Sequence, residues 1–200
     1  MIKENYRLAI QNRIKRIAPA SDEEILELLA MCDADPHLHT VRDVVRIIAN
    51  LGLHNSEFAA LRRTDIDFEG DSIFVGRDRK AWYAARVLPL RPKVKGALIS
   101  LHALNPESSM VLGDRPLRRI CAVSQTVRAI YPELSRGRLT MYSVRNNFVR
   151  RLYSSGIPFS AAKYCLGICG ESQMLRHLPH SREVKREILR RNLENFLPEF

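Results

Sequence analysis

The chain has 200 residues, of which 46% are hydrophobic, and it contains only 9 Gly and 10 Pro, so its composition excludes a disordered or fibrous protein and predicts one globular domain. No apolar run reaches the ~20 residues that span a bilayer and the N-terminus lacks a signal-peptide core, which predicts a cytoplasmic protein with no membrane partner. The formal net charge is +10, and Lys and Arg outnumber Asp and Glu by 16 to 14 in residues 1–100 and by 16 to 8 in residues 101–200. This balance favours a polyanionic partner without identifying it.

The four cysteines are scattered along the chain, at Cys32, Cys121, Cys165 and Cys169. This spacing is typical of a reducing compartment, not of a disulfide framework. Cys165 and Cys169 could lie one helical turn apart, but a zinc site needs four ligands and the sequence offers no second pair beside them. No metal or other cofactor is predicted.

The N-terminal part is predicted to be a linker followed by a capped helix. Apolar residues recur at helical spacing in the first residues, but Pro19 interrupts them, so residues 1–19 are interpreted as a linker or a short helix leading into the domain. Ser21 and Glu24 stand at the spacing of a capping box. They predict a helix that begins there and ends near residues 33–36.

Two more helices are expected before the first strand. Apolar residues recur at helical spacing from Thr40 to Leu51, and Gly52 is placed to end that helix. The polar run Asn55–Glu57 is predicted to cap a short third helix that continues through Leu61.

The middle and the C-terminal half predict one small sheet and several helices. A short strand is expected near Asp65–Asp67, followed by hairpin strands over 72–75 and 86–89. The overall fold class is therefore α+β, mostly helical with a small antiparallel sheet. The remaining helices are expected after Pro92, after Pro116, and over residues 140–154, 158–166 and 181–196.

The first candidate motif runs from Leu51 to Leu90. Leu51-Gly52-Leu53-His54 is followed by Glu57, by Asp65-Ile66-Asp67 and, after the hairpin, by Pro89-Leu90. This order resembles the first signature block of the tyrosine recombinases, or phage integrases, in which a catalytic Arg occupies the position of His54. The family also carries a Lys in the hairpin, which corresponds to Lys80 with Arg79 beside it.

Two further runs resemble blocks of the same family. Residues 139–148 resemble its His-x-x-Arg helix, with Tyr142 at the position of the His and Arg145 at that of the Arg. Residues 157–168 resemble its helix ending in Leu-Gly-His, with Ile168 at the position of the His.

The family's nucleophile is a Tyr about nine residues further on, and the corresponding position here holds His177. In the family, that Tyr attacks a DNA phosphodiester while cationic groups stabilise charge on the phosphate. Tyr164 is the last tyrosine of this sequence, so the usual nucleophile is absent.

The resemblance implies an integrase-like catalytic domain over residues 20–180, and a C-terminal helix and tail over 181–200 that could dock on a second copy or on an active recombinase. The expected function is binding of duplex DNA in recombination or integration, without strand cleavage. Two alternatives remain: an active recombinase that uses His177 or a nucleophile from a partner, and an interaction module that regulates an active recombinase. The expected DNA contacts are Arg79, Lys80, Arg145 and Arg176.

Overall fold

The structure is a computed structural model that describes residues 19–76, 85–130 and 139–168. Within these ranges it is mostly helical, with one antiparallel sheet in the order β1-β2-β3, so the predicted fold class is confirmed. None of the helices in the described ranges is long and apolar enough to cross a membrane. The elements are α1 (Asp22–Ala34), α2 (His39–Leu51), α3 (Asn55–Ala59), β1 (Ile66–Asp67), β2 (Ser72–Val75), β3 (Arg86–Pro89), α4 (Pro92–Ala103), α5 (Pro116–Ile130), α6 (Met141–Ser154) and α7 (Phe159–Leu166).

The first helix begins with the capping box that the sequence predicts. The Glu24 amide donates to the Ser21 hydroxyl at 3.1 Å, and the Ser21 amide donates to the Glu24 carboxylate at 2.7 Å. The residue before the cap is fixed to α6, because the Ala20 amide donates to the Ser143 carbonyl at 3.0 Å and the Asn147 side chain donates to the Ala20 carbonyl at 2.9 Å. The start of α1 is therefore attached to α6.

Helix α2 forms the centre of the core and contacts α1, α4, α5 and α6. Val44, Val45, Ile47 and Ile48 on it are completely buried, as expected for a helix that is surrounded by other elements. It ends at Gly52, whose φ of +61° is left-handed, and a Cβ there would clash with the Phe148 ring of α6. The end of α2 and the middle of α6 are thus in direct contact.

The sheet is covered on its outer edge by α7. Strand β3 is at one edge of the sheet, and its Val87 amide donates to the Tyr164 hydroxyl at 2.9 Å. Pro89 follows on the same side of the strand and has no amide hydrogen to donate. On the inward face, Arg86 pairs with Val75 and Leu88 pairs with Ile73.

The third helix differs from its prediction at both ends. Its cap is His54 and not Asn55, because the His54 ring accepts the Ser56 amide and the Glu57 carboxylate accepts the His54 amide. It ends at Ala59 and not at Leu61, because the Leu61 carbonyl accepts the Val111 amide at 3.0 Å and the chain leaves the helix to make this contact. Residues 1–18 of the linker predicted over 1–19, and the whole predicted C-terminal segment over 181–200, lie outside the described residues.

Candidate functional site

The structure places four of the residues that were predicted to form the site. Residues of all three sequence blocks are among them, so the arrangement of the blocks can be described. The placed residues are His54, Tyr142, Arg145 and Ile168, whereas Arg79, Lys80, Arg176 and His177 lie outside the described residues.

Arg145 is a buried residue of α6. A capping box starts this helix, because the Ser143 amide donates to the Thr140 hydroxyl at 3.1 Å and the Thr140 amide donates to the Ser143 hydroxyl at 2.7 Å. Arg145 follows in the second turn, is only 5% exposed, and donates through Nε to the Gly52 carbonyl at 3.0 Å. A buried guanidinium requires such acceptors. Arg145 is therefore held against the turn that leads to His54.

Tyr142 lies one turn before Arg145 on α6. Residues three apart share a face of a helix, and Phe148 continues that row against Gly52. Tyr142 is 38% exposed, so the row leads from the core to the surface. Its phenol can donate or accept a hydrogen bond.

His54 is exposed, and its side chain caps its own helix. Its Nδ1 lies 2.9 Å from the Ser56 hydroxyl and accepts the Ser56 amide at 3.3 Å. A neutral imidazole that accepts at Nδ1 carries its proton on Nε2, a tautomer that we infer from these contacts. His54 can therefore offer a phosphate one donor, where an arginine offers five.

Ile168 follows the end of α7. Gly167 has a left-handed φ of +60°, and the Ile168 amide donates to the Lys163 carbonyl at 3.1 Å, which closes the last turn of the helix. The Ile168 side chain is half-buried. It has no hydrogen-bonding group to give to a substrate oxygen.

Sequence reasoning missed a buried ion pair within the first block, whose arginine also binds the third block. The Glu57 and Arg86 side chains are each 1% exposed, and their Nη1–Oε1 and Nη2–Oε2 distances are 2.8 and 3.2 Å. Arg86 Nε also donates to the Cys165 carbonyl of α7 at 2.8 Å. The alternation of Arg86 with Leu88 and Leu90 was a usable signal, because an arginine on the inward face of a strand needs a buried carboxylate.

The third block also contains Cys165, whose thiol is half-buried. Burial raises the pKa of this thiol above its ordinary value, and the nearby Arg86 charge opposes this only in part, so the thiol stays protonated near neutral pH. No group of three His, Cys, Asp or Glu side chains in the described ranges is arranged to hold a metal ion.

The structure brings the three sequence blocks together. Arg145 binds the carbonyl of Gly52 in the first block, and Arg86 binds both Glu57 of the first block and Cys165 of the third. These contacts connect residues that are 93, 29 and 79 positions apart in the sequence. The site residues on these blocks include a buried guanidinium, an exposed imidazole and a partly exposed phenol, and each can donate a hydrogen bond to an anion.

No protein-family model matches the sequence, and no curated protein is similar enough to count as a relative. Several solved structures are similar. The Tn1549 transposon integrase in complex with circular intermediate DNA has a TM-score of 0.72 at 16% identity, over 93% of this chain and 75% of that chain. A XerA recombinase has a TM-score of 0.63 at 17% identity, over 92% of this chain and 65% of that chain.

A lambda integrase tetramer bound to a Holliday junction has a TM-score of 0.59 at 14% identity, over 81% of this chain and 48% of that chain. The chain thus spans about half the length of lambda integrase and about two thirds to three quarters of the other two proteins. Identities this low establish the fold and leave the activity to other arguments. The chain has the fold of the tyrosine recombinase catalytic domain.

Proposed function

We propose that the protein binds duplex DNA in a process of recombination or integration and does not cleave it. The observation that carries this proposal is the burial of Arg145 against Gly52. Arg145 is 5% exposed, and its Nε is fixed by the carbonyl of Gly52, which lies two residues before His54. A guanidinium that is held in one orientation is suited to a phosphate. The proposed contacts are Arg79, Lys80, Arg145 and Arg176.

The overall charge and the similar structures support DNA as the polyanion. The excess of eight positive charges in residues 101–200 favours binding through phosphates, which is independent of base sequence. Among the similar structures, the Tn1549 integrase is a complex with circular intermediate DNA and the lambda integrase is bound to a Holliday junction. A protein with this fold and this charge is therefore expected to bind duplex DNA.

The absence of cleavage follows from the chemistry of the substituted positions. Attack on a phosphodiester needs a nucleophile and donors that stabilise the developing charge. His54 uses Nδ1 to cap α3, and the side chain of Ile168 has no hydrogen-bond donor. In the proposed correspondence, His177 occupies the position of the family's tyrosine. Loss of one such donor typically lowers the rate of a catalysed reaction by about 10²–10³. With several of these groups substituted, we expect the protein to bind DNA and not to cleave it.

The test is a titration of a duplex of about 30 base pairs at several salt concentrations, with Arg145→Ala compared with wild type. We expect wild type to bind with a steep salt dependence, and Arg145→Ala to bind roughly tenfold or more weakly, since a charged hydrogen bond contributes about 1.5–3 kcal/mol. The salt slope should also fall by about one unit.

Arg46→Ala is the matched control, because it removes the same charge from α2, where Arg46 pairs with Asp33 at 2.8 Å. It should bind DNA as wild type does. Arg145→Lys, which keeps the charge, covers the case in which the alanine variant does not fold. Absence of wild-type binding at low salt, or equal effects of the two alanine variants, would overturn the proposal.

A further inference from the structure

We propose that Arg86 is a positioning residue that holds the three blocks of the site in the arrangement that binds DNA. The inference rests on the proposed function, since it concerns how that site is kept in place. Arg86 lies near the end of the first block and contacts Glu57 near the start of that block and Cys165 of the third block. The second block is linked to the first through the bond between Arg145 and the Gly52 carbonyl. None of the predicted contacts to DNA includes Arg86.

The geometry of Arg86 uses the whole planar fork of the guanidinium. Its two terminal nitrogens bind the two oxygens of Glu57 at 2.8 and 3.2 Å, and its Nε binds the Cys165 carbonyl at 2.8 Å. Bidentate pairs of this kind fix orientation as well as distance. A lysine has a single nitrogen and cannot make these three contacts with the same directions.

Glu57 passes this constraint on to His54. Its Oε2, which binds Arg86, also accepts the His54 amide at 2.7 Å. His54 lies two residues after Gly52, whose carbonyl holds Arg145 at 3.0 Å. The turn after α2 carries His54 and holds Arg145 of α6 through the Gly52 carbonyl. The orientation of this turn therefore depends on the Glu57 carboxylate, which Arg86 holds in place.

Cys165 passes the constraint to the end of the third block. Its carbonyl lies in the last turn of α7, which closes at Gly167 and leads to Ile168. In the sequence, His177 follows nine residues after Ile168. Arg86 thus fixes the direction in which the chain leaves α7 relative to the turn at His54.

Stabilisation of the fold does not by itself account for the buried ion pair of Glu57 and Arg86. The neighbours of Arg86 on the inward face of the sheet are Ile73, Val75 and Leu88, and all three are buried. Replacing a buried ion pair with apolar side chains of similar volume is often neutral or stabilising, because both charges lose their hydration. An ion pair in this core is better explained by the geometry that it imposes.

Direct binding of DNA by Arg86 is excluded by its surroundings. Its side chain is 1% exposed, and its Nε, Nη1 and Nη2 all have protein acceptors. A phosphate could reach it only if these bonds broke. Arg86 therefore acts through His54 and the end of α7.

The experiment uses the full chain with the paired substitution Glu57→Gln and Arg86→Met. The amide oxygen of the introduced glutamine can still accept the His54 amide, so the paired substitution removes the link to α7 and both buried charges together. We expect a melting temperature close to that of wild type and a DNA affinity lowered roughly tenfold, a typical size of coupling between contacting residues. Arg86→Lys, which keeps the charge, should lower the affinity in the same direction.

A double-mutant cycle separates positioning from a general structural effect. If Arg86 acts by placing Arg145, the paired substitution and Arg145→Lys should be non-additive in DNA affinity. The paired substitution and Arg46→Ala should add, because Arg46 bonds to Asp33 away from this network. Additivity with Arg145→Lys, or wild-type affinity in a folded paired variant, would overturn the inference and leave the proposed function standing.

Amide hydrogen exchange tests the coupling without DNA. The His54 amide is bound to the Glu57 carboxylate and the Gly167 amide to the Tyr164 carbonyl. In the paired variant the acceptor of the His54 amide is neutral and is no longer held by Arg86, and α7 has lost its bond to Arg86. Both amides should therefore exchange faster while the buried amides of α2 do not change. If wild type does not bind DNA but this pattern is found, the proposed function fails and the coupling of the blocks by Arg86 stands. Unchanged exchange at both amides would refute the coupling itself.

Discussion

At the scale of single residues, the most consequential position is His54, because one side chain serves the helix and the site at once. Its Nδ1 accepts the Ser56 amide and so caps α3. That cap leaves Nε2 as the ring nitrogen that can donate to a phosphate. The local structure therefore gains a cap where the family has a permanent charge.

Because His54→Arg removes a helix cap and adds a charge, it should have opposite effects on stability and on DNA binding. Removal of the cap should lower the free energy of unfolding by about 1 kcal/mol, and the new guanidinium should tighten DNA binding several-fold at low salt. Urea denaturation measures the first effect and DNA titration the second. Ala30→Arg is the control, because it adds the same charge at an exposed position of α1. If both variants gain the same affinity, the gain is due to net charge alone.

At the scale of elements, the contact between the end of α2 and α6 determines where Arg145 lies. Gly52 allows this contact in two ways, since its φ of +61° is left-handed and its missing Cβ leaves room for the Phe148 ring. Phe148 and Arg145 lie on the same face of α6 and both touch Gly52. One glycine thus connects the first two blocks of the site.

The substitutions Gly52→Ala and Gly96→Ala should therefore have opposite effects on the stability of the protein. Gly52→Ala should destabilise the protein by about 1–3 kcal/mol, because it strains the backbone and drives a Cβ into Phe148, and it should weaken DNA binding through Arg145. Gly96→Ala in α4 should stabilise the protein by about 0.4–1 kcal/mol, because a Cβ there meets nothing within 4 Å and alanine favours a helix. Thermal denaturation measures both. If Gly96→Ala is also destabilised, the loss of stability in Gly52→Ala cannot be assigned to its contact with Phe148.

Most elements could be predicted from the sequence because their signals are local. Ser21 with Glu24 and Gly52 mark helix ends within a few residues, and these predictions are confirmed. The end of α3 could not be predicted, since it depends on a bond between Leu61 and Val111, and neither could the burial of Arg145, whose acceptor lies 93 residues away. Long-range contacts of this kind leave no trace in a short window of sequence.

At the scale of the whole molecule, charge is divided between elements. Helix α1 carries five acidic residues and no Lys or Arg, whereas α5 carries three arginines and no Asp or Glu. A polyanion is therefore expected to be attracted more strongly by α5 than by α1. The acidic residues of α1 are Asp22, Glu23, Glu24, Glu27 and Asp33, and the arginines of α5 are Arg118, Arg119 and Arg128.

We expect the whole site to bind DNA without cleaving it. Wild type should give no covalent complex with a nicked duplex, because the positions that supply chemistry in the family are substituted. If the network of Arg86 and Arg145 still holds the blocks in a working arrangement, restoring the family's residues should restore covalent capture. The variant required combines His54→Arg, Tyr142→His, Ile168→His and His177→Tyr.

The control for that variant carries the same substitutions except His177→Tyr, and gel electrophoresis under denaturing conditions detects the covalent complex. We expect capture only with all four substitutions, because the other three supply donors and not a nucleophile. Capture by wild type, lost on His177→Phe, would show that His177 attacks phosphorus and that the protein is an active enzyme. A four-fold variant that folds and binds DNA without capture would show that His177 does not occupy the position of the nucleophile, since the other groups of the site are then present.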